Sequence, residues 1–440
     1  MKISIVSLGC DKNLVDSHAI SSVLSQKGCE LTDDIAMADI AIINTCCFIV
    51  DAKEESISAI LDVAQYKEVG TLKKILVTGC MAQRYKDEIL KEIPEVDAIV
   101  GINDQEKIYE ILTSDMDNIV LVHNDISSDT SDKYKGAYQS GSYYGYLKIS
   151  DGCDKHCTYC IIPKLRGKYH SYSMQALIKQ AEDMATSGTK ELILVAQETT
   201  LYGIDLYGKK MLPELLRKLC LIDGLEWIRI LYCYPEEITD ELLEVIRDEK
   251  KICKYLDIPI QHASDAILKK MGRRATHASL IETISHIRQM IPDIAIRTTL
   301  ISGFPGESEE DHHIMLDFVR DIEFERLGVF TYSREEETPA ATFDNQIDEN
   351  VKQDRKDELM ALQMNISKKH TSKCIGRVFS VIIDGRLEDE NVYVGRTYMD
   401  LPDIDSMVFI ETDRELLSGT ICDVKITSAS DYDLYGEVIG

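Results

Sequence analysis

Residues 150–160 read S-D-G-C-D-K-H-C-T-Y-C and follow a strand-like run at Tyr144–Ile149. Three cysteines fall within eight positions in the spacing C-x3-C-x2-C: Cys153, Cys157 and Cys160. Thiols this close in sequence indicate a metal centre. A structural zinc site normally completes a tetrahedron with a fourth Cys or His, and His156 could supply it only through a sharp chain reversal. A cluster bound by three thiolates keeps one iron open for a small molecule, and we favour that interpretation.

The spacing, with the aromatic Tyr159 directly before the last cysteine, resembles the radical S-adenosylmethionine (SAM) enzymes. The resemblance implies a 4Fe-4S cluster whose free iron binds the amino and carboxylate groups of SAM, with Tyr159 near the adenine. An electron from the cluster would cleave the carbon–sulfur bond of SAM and give a 5′-deoxyadenosyl radical. The cofactor carries that chemistry, and the protein holds and orients it in a dry site.

Composition limits what the rest of the chain can be. With 440 residues, 44% of them apolar, the chain can form two or three domains with separate cores. No window approaches the roughly 18 uninterrupted apolar residues of a membrane helix, and the N-terminus begins directly as a strand, so we expect a cytoplasmic protein without a signal peptide. The 13 cysteines suit metal ligands in a reducing compartment. The net charge of −27 does not favour a nucleic-acid partner.

Residues 1–130 alternate apolar runs with amphipathic stretches, which predicts a parallel α/β domain of the flavodoxin-like type. Three cysteines each directly follow a predicted strand: Cys10, Cys46 and Cys80. Ligands bind at the carboxyl edge of an open α/β sheet, so these loops can bring three thiolates to a second cluster. The alternative is that the three are simply buried, as free cysteines often are. Cys47 is predicted to pack against the core, with the possibility left open that it replaces Cys46 as the ligand.

Residues 131–142 are polar and contain Gly and Ser, which predicts a linker. Six strand–helix units within 143–350 predict an incomplete (β/α)6 barrel of the TIM type, whose chemistry lies at the C-terminal ends of the strands. Polar residues collect there, and the candidates for binding SAM are Gln197, Gln261, Gly303 and Glu307. Gly303 would let the backbone approach SAM, and Glu307 would meet its charged groups. His262 could contact SAM or only hold a loop.

A helix within 351–374 is predicted to link the barrel to short alternating strands at 375–440, which indicate a small antiparallel β-barrel. With this order of domains, the whole chain resembles the methylthiotransferases. These are radical SAM enzymes with an N-terminal three-cysteine domain, a central radical barrel and a C-terminal TRAM domain.

Several stretches resemble the RimO-type branch of that family, among them S-L-G-C-D-K-N-L-V-D-S, E-L-I-L-V-A-Q-E-T-T-L-Y-G and K-I-C-K-Y-L-D-I-P-I-Q-H. That branch implies methylthiolation of the β-carbon of an aspartate in small-subunit ribosomal protein twelve, with one SAM as methyl donor and another as radical source. A second 4Fe-4S cluster would carry the sulfur or methylthio group on its open iron. The electron donor would be an external protein of the flavodoxin or ferredoxin type.

Two other functions stay open. The MiaB-type branch acts on an adenosine of tRNA, and a more remote alternative is a non-catalytic iron–sulfur or zinc protein that docks on the ribosome. Charge separates the two branches, because residues 375–440 contain 14 acidic and 5 basic residues, a net charge of −9. A domain that holds RNA would present Lys and Arg, whereas this one suits a basic ribosomal protein, or is a solvated surface without a partner.

Some positions depart from the pattern of the RimO-type branch. Asp11 and His18 stand where Pro and Glu are more usual, and Cys47 stands where a small residue is common. A second arginine is also missing after the pair Arg166-Gly167. No predicted cluster ligand is affected, but the role of Arg166 and its loop stays open.

Overall fold

The computed structural model describes residues 1–114, 119–123, 142–387 and 391–439. Residues 131–141 of the predicted linker lie outside the described residues, so that prediction stays untested. Among the helices of the described ranges, none is both long enough and apolar enough to cross a membrane.

The N-terminal part forms a parallel sheet of six strands: β1 (Lys2–Ser7), β2 (Glu30–Leu31), β3 (Ile40–Thr45), β4 (Lys74–Gly79), β5 (Ala98–Val100) and β6 (Ile119–Leu121). The strand order is β2-β1-β3-β4-β5-β6, which confirms the predicted flavodoxin-like α/β fold. Five helices connect the strands: α1 (Asp11–Gln26), α2 (Val50–Glu68), α3 (Cys80–Arg84), α4 (Lys86–Glu92) and α5 (Ile108–Leu112). The strand order reverses between β1 and β3, so a ligand crevice is expected at their carboxyl ends.

The central part contains eight strands: β7 (Tyr144–Lys148), β8 (Ser150–Asp151), β9 (His170–Ser171), β10 (Glu191–Val195), β11 (Trp227–Ile230), β12 (Tyr255–Asp257), β13 (Ala295–Ser302) and β14 (Arg326–Thr331). Strands β8 and β9 form a short antiparallel pair. The other six form two parallel sheets, β11-β10-β7 and β12-β13-β14, which a parallel bridge from Ile228 to Ile252 connects. The predicted six-stranded incomplete barrel is therefore confirmed.

Helices alternate with these strands because their apolar positions recur at helical spacing and pack on the outside of the barrel. They are α6 (Ile162–Arg166), α7 (Met174–Thr186), α8 (Ile204–Tyr207), α9 (Leu212–Cys220), α10 (Asp240–Asp248), α11 (Asp265–Lys270), α12 (His277–Met290) and α13 (Glu309–Ile322). Helix α14 (Glu349–Ser372) then links the barrel to the C-terminal strands, as predicted.

The C-terminal part is a closed barrel of β15 (Val378–Arg386), β16 (Val392–Arg396), β17 (Val408–Glu411), β18 (Ile421–Ala429) and β19 (Leu434–Val438). Two details differ from the expectation of a purely antiparallel barrel. The fifth strand, β19, was not foreseen, and it pairs with β17 in parallel. The reason is geometric, since β19 turns back along β18 and then closes the barrel against the free edge of β17.

This small barrel docks on the end of the central barrel where the strands begin. Glu191 is the first residue of β10, and its carboxylate lies 2.8 Å from Arg229 of β11 and 2.8 Å from Arg396 of β16. All three side chains are almost fully buried. Four acidic side chains of the small barrel also contact the central part. Asp384 and Asp403 accept from the hydroxyls of Tyr143 and Tyr144, and Asp400 and Asp405 pair with Arg326 and Arg297. Part of the acidic excess at 375–440 therefore serves internal docking.

Candidate active site

The three N-terminal cysteine loops meet around Asn13 of α1. The Asn13 amide donates to the carbonyl oxygens of Leu8 at 3.2 Å and Thr45 at 2.9 Å, which ties the loop after β1 to the end of β3. Its side-chain oxygen accepts from the Cys80 thiol at 3.8 Å. Asn13 therefore holds the carboxyl ends of β1 and β3 together, beside the cysteine that follows β4.

Cys10 and Cys46 lie side by side at this edge. A Cβ atom on Gly9 would come within 2.7 Å of the Cys46 sulfur, and Gly9 has a φ of +83°, so only glycine suits this position. Cys10 is exposed, whereas Cys47 is fully buried in an apolar core and lies against Arg84. Burial raises the pKa of the Cys47 thiol to about 12. The structure brings Cys10, Cys46 and Cys80 to one edge, and their ligation of a cluster stays a prediction.

The second cysteine loop follows β8 at the mouth of the central barrel. The Cys157 sulfur lies 3.0 Å from the hydroxyl of Tyr234, and the amide of Cys160 donates to the carbonyl oxygen of Cys157 at 3.0 Å. His156 has left-handed backbone, with a φ of +53°, and its side chain is exposed. Burial raises the pKa of the Cys153 thiol to about 11. A metal centre stabilises the thiolate form of such a buried cysteine.

Unpartnered polar atoms line the mouth of this barrel. Buried atoms without a hydrogen-bond partner among the described residues include Gln197 Oε1 and Glu198 Oε2. Leaving such an atom unpaired costs about 1–3 kcal/mol, and a polar ligand would remove that cost. Gln197 and Glu198 follow the end of β10, where a TIM-type barrel places its chemistry. Thiols and acceptors of this kind fit a thiolate-bound cluster together with SAM.

Glu307 holds its own loop together. One carboxylate oxygen accepts from the amides of Gly303 at 2.7 Å and Phe304 at 3.1 Å, and the other lies 3.0 Å from Arg355. A Cβ on Gly303 would fall 2.1 Å from Cγ of Lys352, so this glycine makes room for a lysine side chain. Contact of either residue with SAM stays a prediction.

The remaining SAM candidates lie in the same region. Gln261 has a φ of +73° and extends β12 by a bridge to Leu300. His262 lies 3.5 Å from Glu307, with both side chains fully buried. Tyr159 packs at the edge of the small apolar cluster that contains Phe304. The structure thus places all the predicted SAM contacts around one mouth, and the contacts themselves stay predictions.

The segment that follows β11 joins the two cysteine sites. Tyr234 contacts Cys157, whereas Tyr232 faces the N-terminal sheet and donates to Asp11 at 3.2 Å. The ammonium of Lys12 lies 3.1 Å from the centre of the Tyr232 ring. Tyr232 has a φ of +59°, a strained conformation of the kind that often marks functional sites. The two cysteine sites therefore lie on either side of this short segment.

Arg166, whose role the sequence left open, forms a buried ionic link between the two sites. Its guanidinium lies 2.9 Å from Asp16 of α1, 3.1 Å from Asp151 and 3.8 Å from the Cys80 sulfur. Lys148 of β7 lies 2.9 Å from Asp16 and completes the network. Sequence reasoning did not find it, because the Asp16 partner is 150 positions away along the chain.

Glu198 is a second buried residue at this mouth that was not among the predicted SAM contacts. Burial raises the pKa of its carboxyl from 4.5 to about 7, although the amide of Thr200 donates to it at 3.0 Å. A buried acid with a raised pKa at the mouth of a barrel is typical of functional sites. Its neighbour Gln197 was the residue that the sequence suggested.

We expect stability to depend on pH through Glu198. Its pKa is higher in the folded than in the unfolded protein, so stability falls as the pH rises from about 4.5 through 7. The comparison uses cluster-free protein and the free energy of unfolding of Glu198→Gln minus that of wild type. This difference should be about 2–3 kcal/mol larger at pH 8 than at pH 5. Urea titrations at both pH values measure it. The exposed Glu226→Gln is the control, and an equal gain from both substitutions would contradict the assignment.

Across the described ranges, no three His, Cys, Asp or Glu side chains are grouped as ligands of a single metal ion.

Family models match three segments of the chain. They are described as Uncharacterized protein family UPF0004 (residues 2–101), Radical SAM superfamily (residues 147–319) and TRAM domain (residues 375–439).

Solved structures share the fold. The radical SAM methyltransferase TsrM from Kitasatospora setae is similar with a TM-score of 0.57 and 13% identity, over 86% of this chain and 80% of that one. The cobalamin-dependent SAM radical enzyme OxsB is similar with a TM-score of 0.51 and 16% identity, over 72% of this chain and 51% of that one. The barrel and its cysteine loop define a radical SAM enzyme, a class that uses SAM and a 4Fe-4S cluster.

Curated relatives match over the full length. A protein of Lachnoclostridium phytofermentans is 55% identical, over 99% of both chains, and one of Clostridioides difficile is 49% identical, over 100% of this chain and 99% of that one. Both are named ribosomal protein uS12 methylthiotransferase RimO. The chain therefore belongs to the RimO family of radical SAM methylthiotransferases.

Proposed function

We propose that this protein adds a methylthio group to the β-carbon of an aspartate in ribosomal protein uS12, in the cytoplasm. The observation that carries the proposal is 55% identity to a protein of that name over 99% of the chain. The reaction replaces a carbon–hydrogen bond by a carbon–sulfur bond. The hydrogen leaves in 5′-deoxyadenosine, a second SAM supplies the methyl group, and an external donor of the flavodoxin or ferredoxin type supplies electrons.

The residues of the chain then have defined tasks. Cys153, Cys157 and Cys160 hold one 4Fe-4S cluster, and Cys10, Cys46 and Cys80 hold a second. When bound, the first cluster and SAM supply the radical, and the second cluster supplies the sulfur. Gln197 and Glu198 offer oxygen acceptors to SAM, and the Tyr234 hydroxyl is placed to donate to the Cys157 sulfur. The apolar core under the mouth excludes water.

The charge of the C-terminal barrel supports a basic protein as the partner. Although four of its acidic side chains contact the central part, Glu411, Glu415 and Glu437 are exposed. An acidic surface attracts a basic ribosomal protein and repels RNA phosphates. The proposal therefore assigns a protein substrate and no direct RNA contact.

Mass spectrometry of ribosomal proteins and of tRNA, from cells with and without this gene, tests the proposal. We expect the mass of one methylthio group to disappear from uS12 when the gene is deleted and to return on complementation. Unchanged uS12 together with loss of methylthioadenosine from tRNA would instead assign the MiaB-type activity. Unchanged uS12 and tRNA, with protein that does not cleave SAM, would indicate the non-catalytic docking protein.

Substitution of the neighbouring cysteines tests the second cluster. Cys46→Ala should lose about half of the iron after anaerobic reconstitution, because one of two clusters loses a ligand. Cys47→Ala is the matched control and should keep its iron, since Cys47 packs in the apolar core. Iron content and the visible spectrum measure both. The opposite result would make Cys47 the ligand.

A further inference from the structure

We propose that Lys12 binds the carboxylate of the substrate aspartate, and that Asp11 holds the Lys12 ammonium until the substrate displaces it. The inference rests on the proposed function and deepens it, because it names the group of the protein that recognises the reacting residue. No step of it depends on a metal or on a change of protonation.

The position of Lys12 is the first argument. Lys12 lies two residues after Cys10, in the first turn of α1, and its ammonium stands 3.1 Å from the centre of the Tyr232 ring. Tyr234, two residues after Tyr232, contacts Cys157 of the other cysteine loop. A substrate carbon that loses hydrogen at one site and receives sulfur from the other must lie between them. Lys12 contacts the segment of Tyr232 and Tyr234 that joins the two sites.

Burial is the second argument. The side chains of Lys12 and Asp11 are only 9% and 10% exposed, and their charged atoms are 3.0 Å apart. A buried ammonium without a counter-ion is costly, so the substrate-free protein needs a carboxylate here. Asp11 supplies it from the adjacent position in the chain and also accepts from the Tyr232 hydroxyl at 3.2 Å. Its carboxylate marks the place that a substrate carboxylate would take.

Four other cations around the two cysteine sites are bound by carboxylates from another part of the fold: Arg166 by Asp16, Lys148 by Asp16, Lys155 by Glu237, and Arg84 by Glu335. A fifth, Arg273, lies 4.1 Å over the Tyr234 ring and donates to the carbonyl oxygen of Pro259. Exchanging those partners would require packed elements to separate. Exchange at Lys12 needs only the rotation of one side chain, since its partner is the preceding residue. Among the cations paired with a carboxylate, Lys12 is therefore the one whose partner a substrate carboxylate can replace.

The chemistry of the proposed reaction fits this group. The β-carbon of aspartate is bonded directly to the carboxylate carbon, so fixing the carboxylate fixes the reacting carbon within one bond. Orientation of this kind can lower a reaction barrier substantially. A buried lysine also favours a substrate aspartate over an asparagine at the same position. If the neutral amide of asparagine took the place of Asp11, the Lys12 ammonium would be left without a counter-ion.

Binding measurements with the reconstituted holoenzyme test the inference without depending on turnover. The probes are recombinant uS12 and uS12 with its modified aspartate changed to asparagine, followed by fluorescence anisotropy. Wild-type enzyme should bind the aspartate form about tenfold more tightly, a difference of about 1.4 kcal/mol. Lys12→Met keeps the apolar stem and should bind both forms equally. Lys12→Arg keeps the charge and should restore most of the discrimination.

Asp11→Asn tests the second half of the inference. The amide oxygen can still accept from Tyr232, but the competing charge is gone, so the aspartate form should bind several-fold more tightly than to wild type. Iron content and thermal unfolding of every variant confirm that it is folded and loaded. Unchanged discrimination in Lys12→Met, or weaker binding in Asp11→Asn, would overturn the inference. Both outcomes leave the proposed function standing, which fails only if wild-type enzyme does not modify uS12.

Discussion

Replacing Cys157 with alanine is expected to abolish the cleavage of SAM. Cys157 lies at the centre of the C-x3-C-x2-C loop, and its buried sulfur is 3.0 Å from the Tyr234 hydroxyl. If the three thiolates hold the cluster that binds SAM, removal of one leaves that cluster without a complete ligand set. The variant should therefore form no 5′-deoxyadenosine above background after anaerobic reconstitution and reduction. Chromatographic assay of 5′-deoxyadenosine, with iron content in parallel, measures the effect.

Cys233→Ala is the matched control for this experiment. Cys233 is as deeply buried as Cys157 and precedes Tyr234, but its sulfur contacts Thr199 at 3.6 Å and it is no predicted ligand. The same loss of volume in the same region should therefore leave SAM cleavage close to that of wild type. Wild-type amounts of 5′-deoxyadenosine from Cys157→Ala would remove this cysteine from the cluster and with it the proposed mechanism.

The sequence predicted those features that depend on local pattern. The three N-terminal cysteines each follow a strand, and parallel strands bring their carboxyl ends to one edge, so Cys10, Cys46 and Cys80 lie at that edge. The central barrel followed from its six strand–helix units in the same way. Such patterns extend over a few residues and need no knowledge of which domain packs against which.

Features that depend on docking were missed. The acidic charge at 375–440 was assigned to an external partner, yet Asp400 pairs with Arg326 at the end of the central barrel. The pairing of Glu307 with Arg355 of the linking helix was likewise not foreseen, and contact of Glu307 with SAM stays a prediction. In each case the partner residue is distant along the chain, and its charge alone does not reveal which side chain it will meet.

Arg166 shows the same limit and gives the second large expected effect. Arg166→Ala should destabilise the protein by about 3–5 kcal/mol, the usual cost of removing one partner from a buried ion pair. The carboxylates of Asp16 and Asp151 would remain buried, with Lys148 between them. The direct link that Arg166 makes between Asp16 of α1 and Asp151 would also be lost. Urea unfolding of cluster-free protein, followed by intrinsic fluorescence, measures the shift.

Arg217→Ala provides the comparison, because Arg217 pairs with Glu241 at 2.9 Å on the surface, where both side chains are exposed. Such a pair is worth about 0–1 kcal/mol, so the two variants should differ several-fold in their effect. Loss of Arg166 should also separate the unfolding of the N-terminal sheet from that of the barrel, since the buried charges that couple them are unbalanced. A single unchanged transition in Arg166→Ala would mean that apolar packing, such as that of Leu165 against the core containing Cys47, holds the two cysteine sites together instead.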